Sequence, residues 1–283
     1  MKAMSVIPGR RGSELIAESP EPPPAEGSIL AEGLLVGICG TDEEVLRGHG
    51  LPPDGGQRLV IGHESLGRVL EAPPDAPVRP GDLVVGVVRR PDPVPCRACA
   101  VGEWDFCANG QYTERGIKGL DGYGATRWRV GPRFAIKVPA RLGDLGVLTE
   151  PGSVVAKAWE QIDRISARAP RSARLALVAG AGPIGMLASL LALQRRQCAG
   201  FRPVVRAAGR EPVRRGGSAI RRTGEGRDGR TPVDMVRLAV ELGQFAAQVR
   251  AHLPHGLLHP LQGAAVNTGC WYLAGKPRWV RKD

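Results

Sequence analysis

No apolar run in this chain approaches the ~18–20 residues that a membrane-spanning helix needs. The longest helical-looking one, Met186 to Leu193, is far too short. The opening Met1-Lys2-Ala3-Met4 also lacks the apolar block and small-residue cleavage site of a signal peptide. No membrane partner is therefore expected, and the protein is read as cytoplasmic. No internal repeat appears, which excludes solenoid and propeller arrays. The Arg-rich run from Arg202 to Arg230 has one aromatic, Phe201, at its edge and no recognisable nucleic-acid module. Nucleic acid is not the expected partner.

What is present is ordinary in bulk and uneven in distribution. The 283 residues are enough for two domains, and the apolar and charged fractions are those of a globular protein. Net charge is +11, but residues 197–283 hold 15 Lys+Arg against 6 Asp+Glu, while residues 1–196 hold 24 against 22. The basic character belongs to the last third.

Two short motifs at turns carry the chemistry: Gly37-Ile38-Cys39-Gly40-Thr41-Asp42 and Gly62-His63-Glu64. A thiol, an imidazole and a carboxylate are the donor types of a catalytic zinc site that keeps one position open. Each alone would suit a buried cysteine or a backbone-satisfied histidine. Together, flanked by glycines that let the chain turn tightly, they point to a metal. Glu150, in Thr149-Glu150-Pro151-Gly152, is a further candidate because that motif sits where one sequence pattern gives way to another.

Upstream of Glu150 the pattern is short β-rich runs punctuated by Gly and Pro, including Ser28–Val36, Ser65–Glu71, Leu83–Val88 and Phe134–Pro139. This predicts a β-rich, barrel-like first domain. Thr41-Asp42-Glu43-Glu44 has the form of a capping box, so a short helix is predicted to start at Thr41 and end near Gly48. Cys39 would lie just before it.

Downstream, apolar residues from Val154 to Ile165 recur at helical spacing, predicting a helix over 153–168. Leu175 to Ala179 reads as a buried strand, followed by Gly180-Ala181-Gly182-Pro183-Ile184-Gly185 and a helix over 186–194. Strand, Gly-x-Gly-x-x-Gly and helix together open a dinucleotide-binding unit. Its glycines allow the turn and the close approach of a pyrophosphate, whose charge the helix N-terminus favours.

Cys96, Cys99 and Cys107 cluster within twelve residues, in the spacing of a metal lobe. A closed structural zinc site wants four donors. The rhythm extended upstream lands on Pro93, which has no donor, and Asp92 is the substitute to consider. His252, His255 and His259 are interrupted by prolines and read as a loop.

With these motifs in order, residues 1 to about 195 resemble the zinc-dependent medium-chain dehydrogenase/reductase family. Gln111-Tyr112-Thr113-Glu114-Arg115-Gly116-Ile117 and Leu148-Thr149-Glu150-Pro151 point to its glucose 1-dehydrogenase branch. The resemblance implies an α/β chain with a GroES-like zinc and substrate domain over 1–150 and the start of a Rossmann NAD(P)-binding domain over 151–196. It implies Cys39 and His63 as zinc ligands, with Glu64 and Glu150 direct or water-bridged. Thr41, Glu114 and Glu150 would contact the sugar. Gly182, Pro183 and Ile184, between Gly180 and Gly185, would hold NADP or NAD. The implied reaction passes the C1 hydride of an aldose to the nicotinamide and releases a lactone, with Thr41 passing the proton outward. Another polyol or secondary-alcohol dehydrogenase, or an inactive remnant, is the alternative. The intact family implies a homo-oligomer. Pro93 departs from its four lobe cysteines.

After Arg196 the family pattern fades. Pro203–Arg206 is a poor strand by sequence, and composition shifts to Arg, Gly, Ala and Pro. We read 197–283 as a degenerate basic segment, disordered or non-native, following a frame shift near Arg196.

Overall fold

The computed structural model describes residues 1–168, 175–179, 182–199, 202–206, 271–274 and 279–281. In chain order the first strands are β1 (Lys2–Val6), β2 (Leu15–Glu18) and β3 (Ile29–Ile38). Helix α1 (Gly40–Glu44) follows, then β4 (Leu59–Val60), β5 (Glu64–Glu71), β6 (Leu83–Gly86) and β7 (Arg89–Arg90). Next come α2 (Arg97–Ala100), β8 (Thr113–Arg115), β9 (Gly119–Leu120), β10 (Arg127–Val130) and β11 (Ala135–Val138). The described chain ends with α3 (Thr149–Ser166), β12 (Leu175–Ala179), α4 (Pro183–Ala199), β13 (Arg202–Arg206), β14 (Trp271–Ala274) and β15 (Trp279–Arg281).

The long strand β3 organises the first domain. Its Leu30–Gly37 stretch pairs antiparallel with β5. Its other edge is shared, the first half with β10 and the second half with β14. The main sheet runs β11-β6-β5-β3-β14-β15, and two three-stranded sheets, β2-β1-β4 and β7-β8-β9, flank it. The β-rich expectation for this part holds.

Three apolar clusters lie under these sheets. One gathers Ile29, Ala31, Val69, Val84, Tyr123, Trp128 and Val130. Tyr123 and Trp128 meet edge to face at 4.8 Å, the arrangement their ring quadrupoles favour. A second packs Leu66 and Leu142 under the turn Ala140–Leu148. The third, with Val6, Val36, Val45, Leu59 and Ile61, lies beneath the two motif turns. It fixes the positions of those turns.

The second part begins at α3, which starts at Thr149, four residues before the predicted helix. Helix α4 also runs longer than predicted, over Pro183–Ala199. β12 and β13 pair parallel, with Ala176 opposite Pro203. The expectation that Pro203–Arg206 makes a poor strand is corrected: it forms β13. Among the described residues β13 has β12 as its one neighbour, and proline is tolerated on such an edge. Strand, helix, parallel strand is the connection the glycine motif predicted. Gly180 and Ala181, the three histidines of 252–259, and most of 207–283 lie outside the described residues.

Candidate active site

Cys39 ends β3 and caps α1. Its backbone N–H donates to Asp42 Oδ2 at 2.9 Å, while its sulfur accepts the N–H of Asp42. The capping box is thus Cys39 with Asp42, and the predicted Thr41–Glu44 box is corrected. Cysteine seldom caps helices, but its sulfur accepts the backbone N–H here in the place an aspartate oxygen would take.

His63 and Glu64 enter on the turn into β5. Gly62 makes that turn with φ of +95°, and a Cβ there would lie 2.5 Å from Val36 Cγ2. Gly37 is just as constrained: a Cβ would collide with the Glu64 carboxylate. The two glycines therefore let β3 and β5 approach until Cys39 and His63 meet. Cys39 Sγ and His63 Nε2 are 3.2 Å apart. Two ligands of one tetrahedral zinc would be about 3.5 Å apart, given usual zinc–sulfur and zinc–nitrogen bond lengths.

The other ring nitrogen, His63 Nδ1, faces Asp42 Oδ1 at 3.7 Å. Glu150, in the first turn of α3, completes the site from the second part of the chain. Donor atoms of His63, Glu64 and Glu150 lie within 4.8 Å of one another, as do those of Cys39, Asp42 and His63. Asp42 Oδ1, His63 Nδ1 and Glu64 Oε2 are buried without a hydrogen-bond partner. Such groups cost about 1–3 kcal/mol each when left unsatisfied.

Electrostatics reflect this crowding. Burial lifts the carboxyls of Asp42 and Glu64 above their ordinary range. Burial opposes charge on His63, yet Cys39 and Asp42 beside it hold its pKa well above the usual imidazole value. Glu150 is pushed up to about 7, by burial first and then by Glu64, Asp42 and Glu114, against the opposing pull of His63. Four acidic or thiol groups around one imidazole make a site suited to a divalent cation. The donor set, the orphaned atoms and the spacing all fit zinc.

Thr41 lies half-buried at the start of α1, beside Cys39. Glu114 is buried on β8, where its Oε1 accepts Arg89 Nε at 3.0 Å and pairs with Arg89 Nη2 at 2.9 Å. Arg89 also donates to the carbonyl of Trp104 and stacks 3.9 Å over the Tyr112 ring. Sequence reasoning missed two residues here. Asp42 was legible inside the first motif, three residues from Cys39. Arg89 carried no local signal.

The cysteine lobe holds a second constellation. Cys96 caps α2 and accepts the Ala108 N–H at 3.4 Å, Cys99 is buried, and Cys107 donates to Asp92 Oδ2 at 3.7 Å. The three sulfurs lie within 4.8 Å of one another, and no fourth donor joins them among the described residues. Asp92 instead accepts the N–H groups of Val94 and Gln111. Backbone N–H donors lower the Cys96 thiol to about 6, while burial pushes Cys99 up to about 12. Three sulfurs in this range could hold a metal ion, and among the described residues the fourth donor of a closed structural zinc is not grouped with them.

The lobe docks on α3 through Lys157, whose ammonium reaches Glu103 at 3.0 Å and Asp105 at 3.1 Å. At the nucleotide motif, Gly182 precedes the first turn of α4, and Pro183, Ile184 and Gly185 form that turn. A Cβ at Gly182 would meet nothing within 4 Å.

Comparison with known proteins agrees with this geometry. Residues 25–140 match the model of the alcohol dehydrogenase GroES-like domain, and residues 143–213 that of the glucose dehydrogenase C-terminus. The second match runs past Arg196. The chain is 46% identical over 193 residues to a glucose 1-dehydrogenase of Methanocella arvoryzae, covering 68% of this chain and 54% of the relative. It is 42% identical over 194 residues to that of Thermoproteus tenax, with the same coverage of 68% and 54%. Among solved structures, Haloferax mediterranei glucose dehydrogenase in complex with NADP, Zn and gluconolactone superposes with a TM-score of 0.64 at 33% identity. That superposition covers 75% of this chain and 59% of the other. The chain spans about half the length of the curated relatives it matches.

Proposed function

Because the chain belongs to the zinc-dependent medium-chain dehydrogenase/reductase family, in its glucose 1-dehydrogenase branch, we propose that it is built to oxidise the anomeric carbon of an aldose to a lactone. The single observation carrying this reading is the approach of Cys39 Sγ to His63 Nε2 at 3.2 Å, with Glu64 and Glu150 beside them. Cys39, His63, Glu64 and Glu150 would hold the zinc. When bound, zinc supplies Lewis acidity toward a hydroxyl, and NADP or NAD accepts the hydride.

The protein's own groups do the rest. Asp42, facing His63 Nδ1, orients the ring so that Nε2 points at Cys39. Thr41, at the half-buried rim beside Cys39, offers a hydroxyl that can pass the substrate proton outward. Glu114 and Glu150 would accept hydrogen bonds from sugar hydroxyls, and burial of His63 and Glu64 keeps bulk water from them. Gly182, Pro183, Ile184 and Gly185, with Gly180 before them, would receive the pyrophosphate at the start of α4.

Residues 1–150 would form the zinc and substrate domain, and 151–196 would open the nucleotide domain. Within 197–283, β13 extends the nucleotide part by pairing with β12, and β14 pairs with β3 of the first part. A cytoplasmic homo-oligomer belongs to the same proposal; among the described residues no helix is long and apolar enough to cross a membrane.

A second reading, a metal-holding chain without turnover, is favoured by one observation: the family match ends at residue 213. Zinc quantification on purified protein, paired with absorbance of reduced cofactor on adding glucose and NADP, tests both. Zinc with turnover supports the first, and zinc without turnover the second. Protein made with ample zinc that retains none at Cys39 sinks both.

A further inference from the structure

The cysteine lobe has three sulfurs within 4.8 Å of one another, no fourth donor grouped with them among the described residues, and a clear difference between its members. We propose that it is a thiol–disulfide site, in which Cys96 and Cys99 exchange with small disulfides of the glutathione class. This stands independently of the reading at Cys39.

Cys96 is half-buried and so within reach of a small molecule. Its sulfur accepts the backbone N–H of Ala108 at 3.4 Å and sits at the N-cap of α2. Donors aimed at sulfur favour the thiolate, the nucleophile in disulfide exchange. Cys99, three residues on, is 6% exposed and so is shielded from external reagents. Its sulfur lies within 4.8 Å of both neighbouring sulfurs, placing it to attack a group on Cys96. Cys107 is engaged differently, pointing its S–H at Asp92 Oδ2. All three sulfurs lie within 4.8 Å of one another, and Cys96 and Cys99 have the Cys-x-x-Cys spacing at the start of a helix.

The exchange balances. The Cys96 thiolate attacks one sulfur of the small disulfide and bonds to it, the S–S bond breaks, and the other sulfur leaves as a thiolate, giving a mixed disulfide on Cys96. Cys99 gives its proton to water and attacks Cys96 Sγ, expelling the second thiolate. The two protein thiols are oxidised by two electrons, and one small disulfide is reduced to two thiols.

The test is peptide mapping of the full chain after equilibration in glutathione buffers of graded ratio. Cleavage after Arg97 and after Glu103 separates the three cysteines. A Cys96–Cys99 link that rises with oxidised glutathione and reverses with reduced glutathione is expected. Cys99→Ser should accumulate glutathione on Cys96, and Cys107→Ser, which leaves the pair intact, should still form the link. A link through Cys107, or lobe thiols that stay unreacted while zinc analysis finds a second ion per chain, would overturn the proposal.

Discussion

Replacing Lys157 with methionine should uncouple the cysteine lobe from α3, and the structure sets the scale. Lys157 is buried, and its ammonium lies 3.0 Å from Glu103, 3.1 Å from Asp105 and 3.6 Å from Glu160. The Asp105 side chain is wholly buried, so no water can take over when the cation goes. Methionine matches the stem of the side chain but leaves carboxylates facing one another. Arg164, 44% exposed, still holds Glu103 at 2.7 Å and Glu160 at 2.5 Å, but it is not paired with Asp105. Breaking a buried pair in this way costs ~3–5 kcal/mol. The figure should be read as the penalty of a stranded charge, so Lys157→Met combined with Asp105→Asn should recover much of it. The pH dependence follows with a definite sign. In the parent chain the Glu103 carboxyl is held below its ordinary value, burial being outweighed by Arg164 and Lys157, so its contribution is lost as pH falls. In the variant the Lys157 share of that depression is gone, so less stability is lost as pH falls through the carboxylate range. The gap between the two proteins should therefore narrow towards about pH 4. Urea unfolding followed by tryptophan fluorescence reads this, since buried Trp104 adjoins the network. A variant within about 0.5 kcal/mol of the parent at neutral pH would refute the reasoning, because that is the range of ordinary surface changes.

Asp42→Asn should keep the fold but weaken zinc binding by about 10- to 100-fold, because the residue both orients His63 and receives the Cys39 N–H; competition with a chromogenic chelator measures it. Chelator-treated protein should lose stability as pH rises from the ordinary carboxylate range to about 7, because Glu150 titrates near 7 in the folded chain and its proton is lost there. Added zinc should abolish that loss, as thermal melts across the same pH window will show. Leu66→Ala, at a fully buried position of the second apolar cluster, should cost about 2–5 kcal/mol with no change in zinc content at saturating metal. Calorimetry and metal analysis on the same sample separate the two effects.

The site was legible where its chemistry is local. Cys39 and His63 announce themselves through glycines at 37 and 62, because only glycine allows the backbone there, and each turn fits in a few residues. The capping box was misplaced because two overlapping boxes fit the same stretch. Asp42 serves Cys39, and sequence rules do not treat cysteine as a cap. β13 was missed because Pro203 argues against a strand, whereas pairing with β12 is a tertiary fact that local preference cannot supply. The same limit hid Arg89 and Lys157. Their partners, Glu114 and Glu103, lie 25 and 54 residues away, and nothing in the spacing ties them together.

These long-range pairs converge on one region. Glu150 and Lys157 sit on the same helix, one in its first turn and the other two turns on. The first joins the Cys39–His63 cluster, and the second is pinned by Glu103 and Asp105 between Cys99 and Cys107. α3 therefore touches both constellations, and the register of Glu150 against His63 depends on a lobe held by ion pairs. Arg89 adds a second tie, from the Trp104 carbonyl in the lobe to Glu114. A rearrangement at Cys96 and Cys99 has two mechanical routes toward the metal cluster, one along a helix and one through a buried guanidinium. The lobe is thus placed to bear on the Cys39–His63 cluster whether or not it carries a metal of its own.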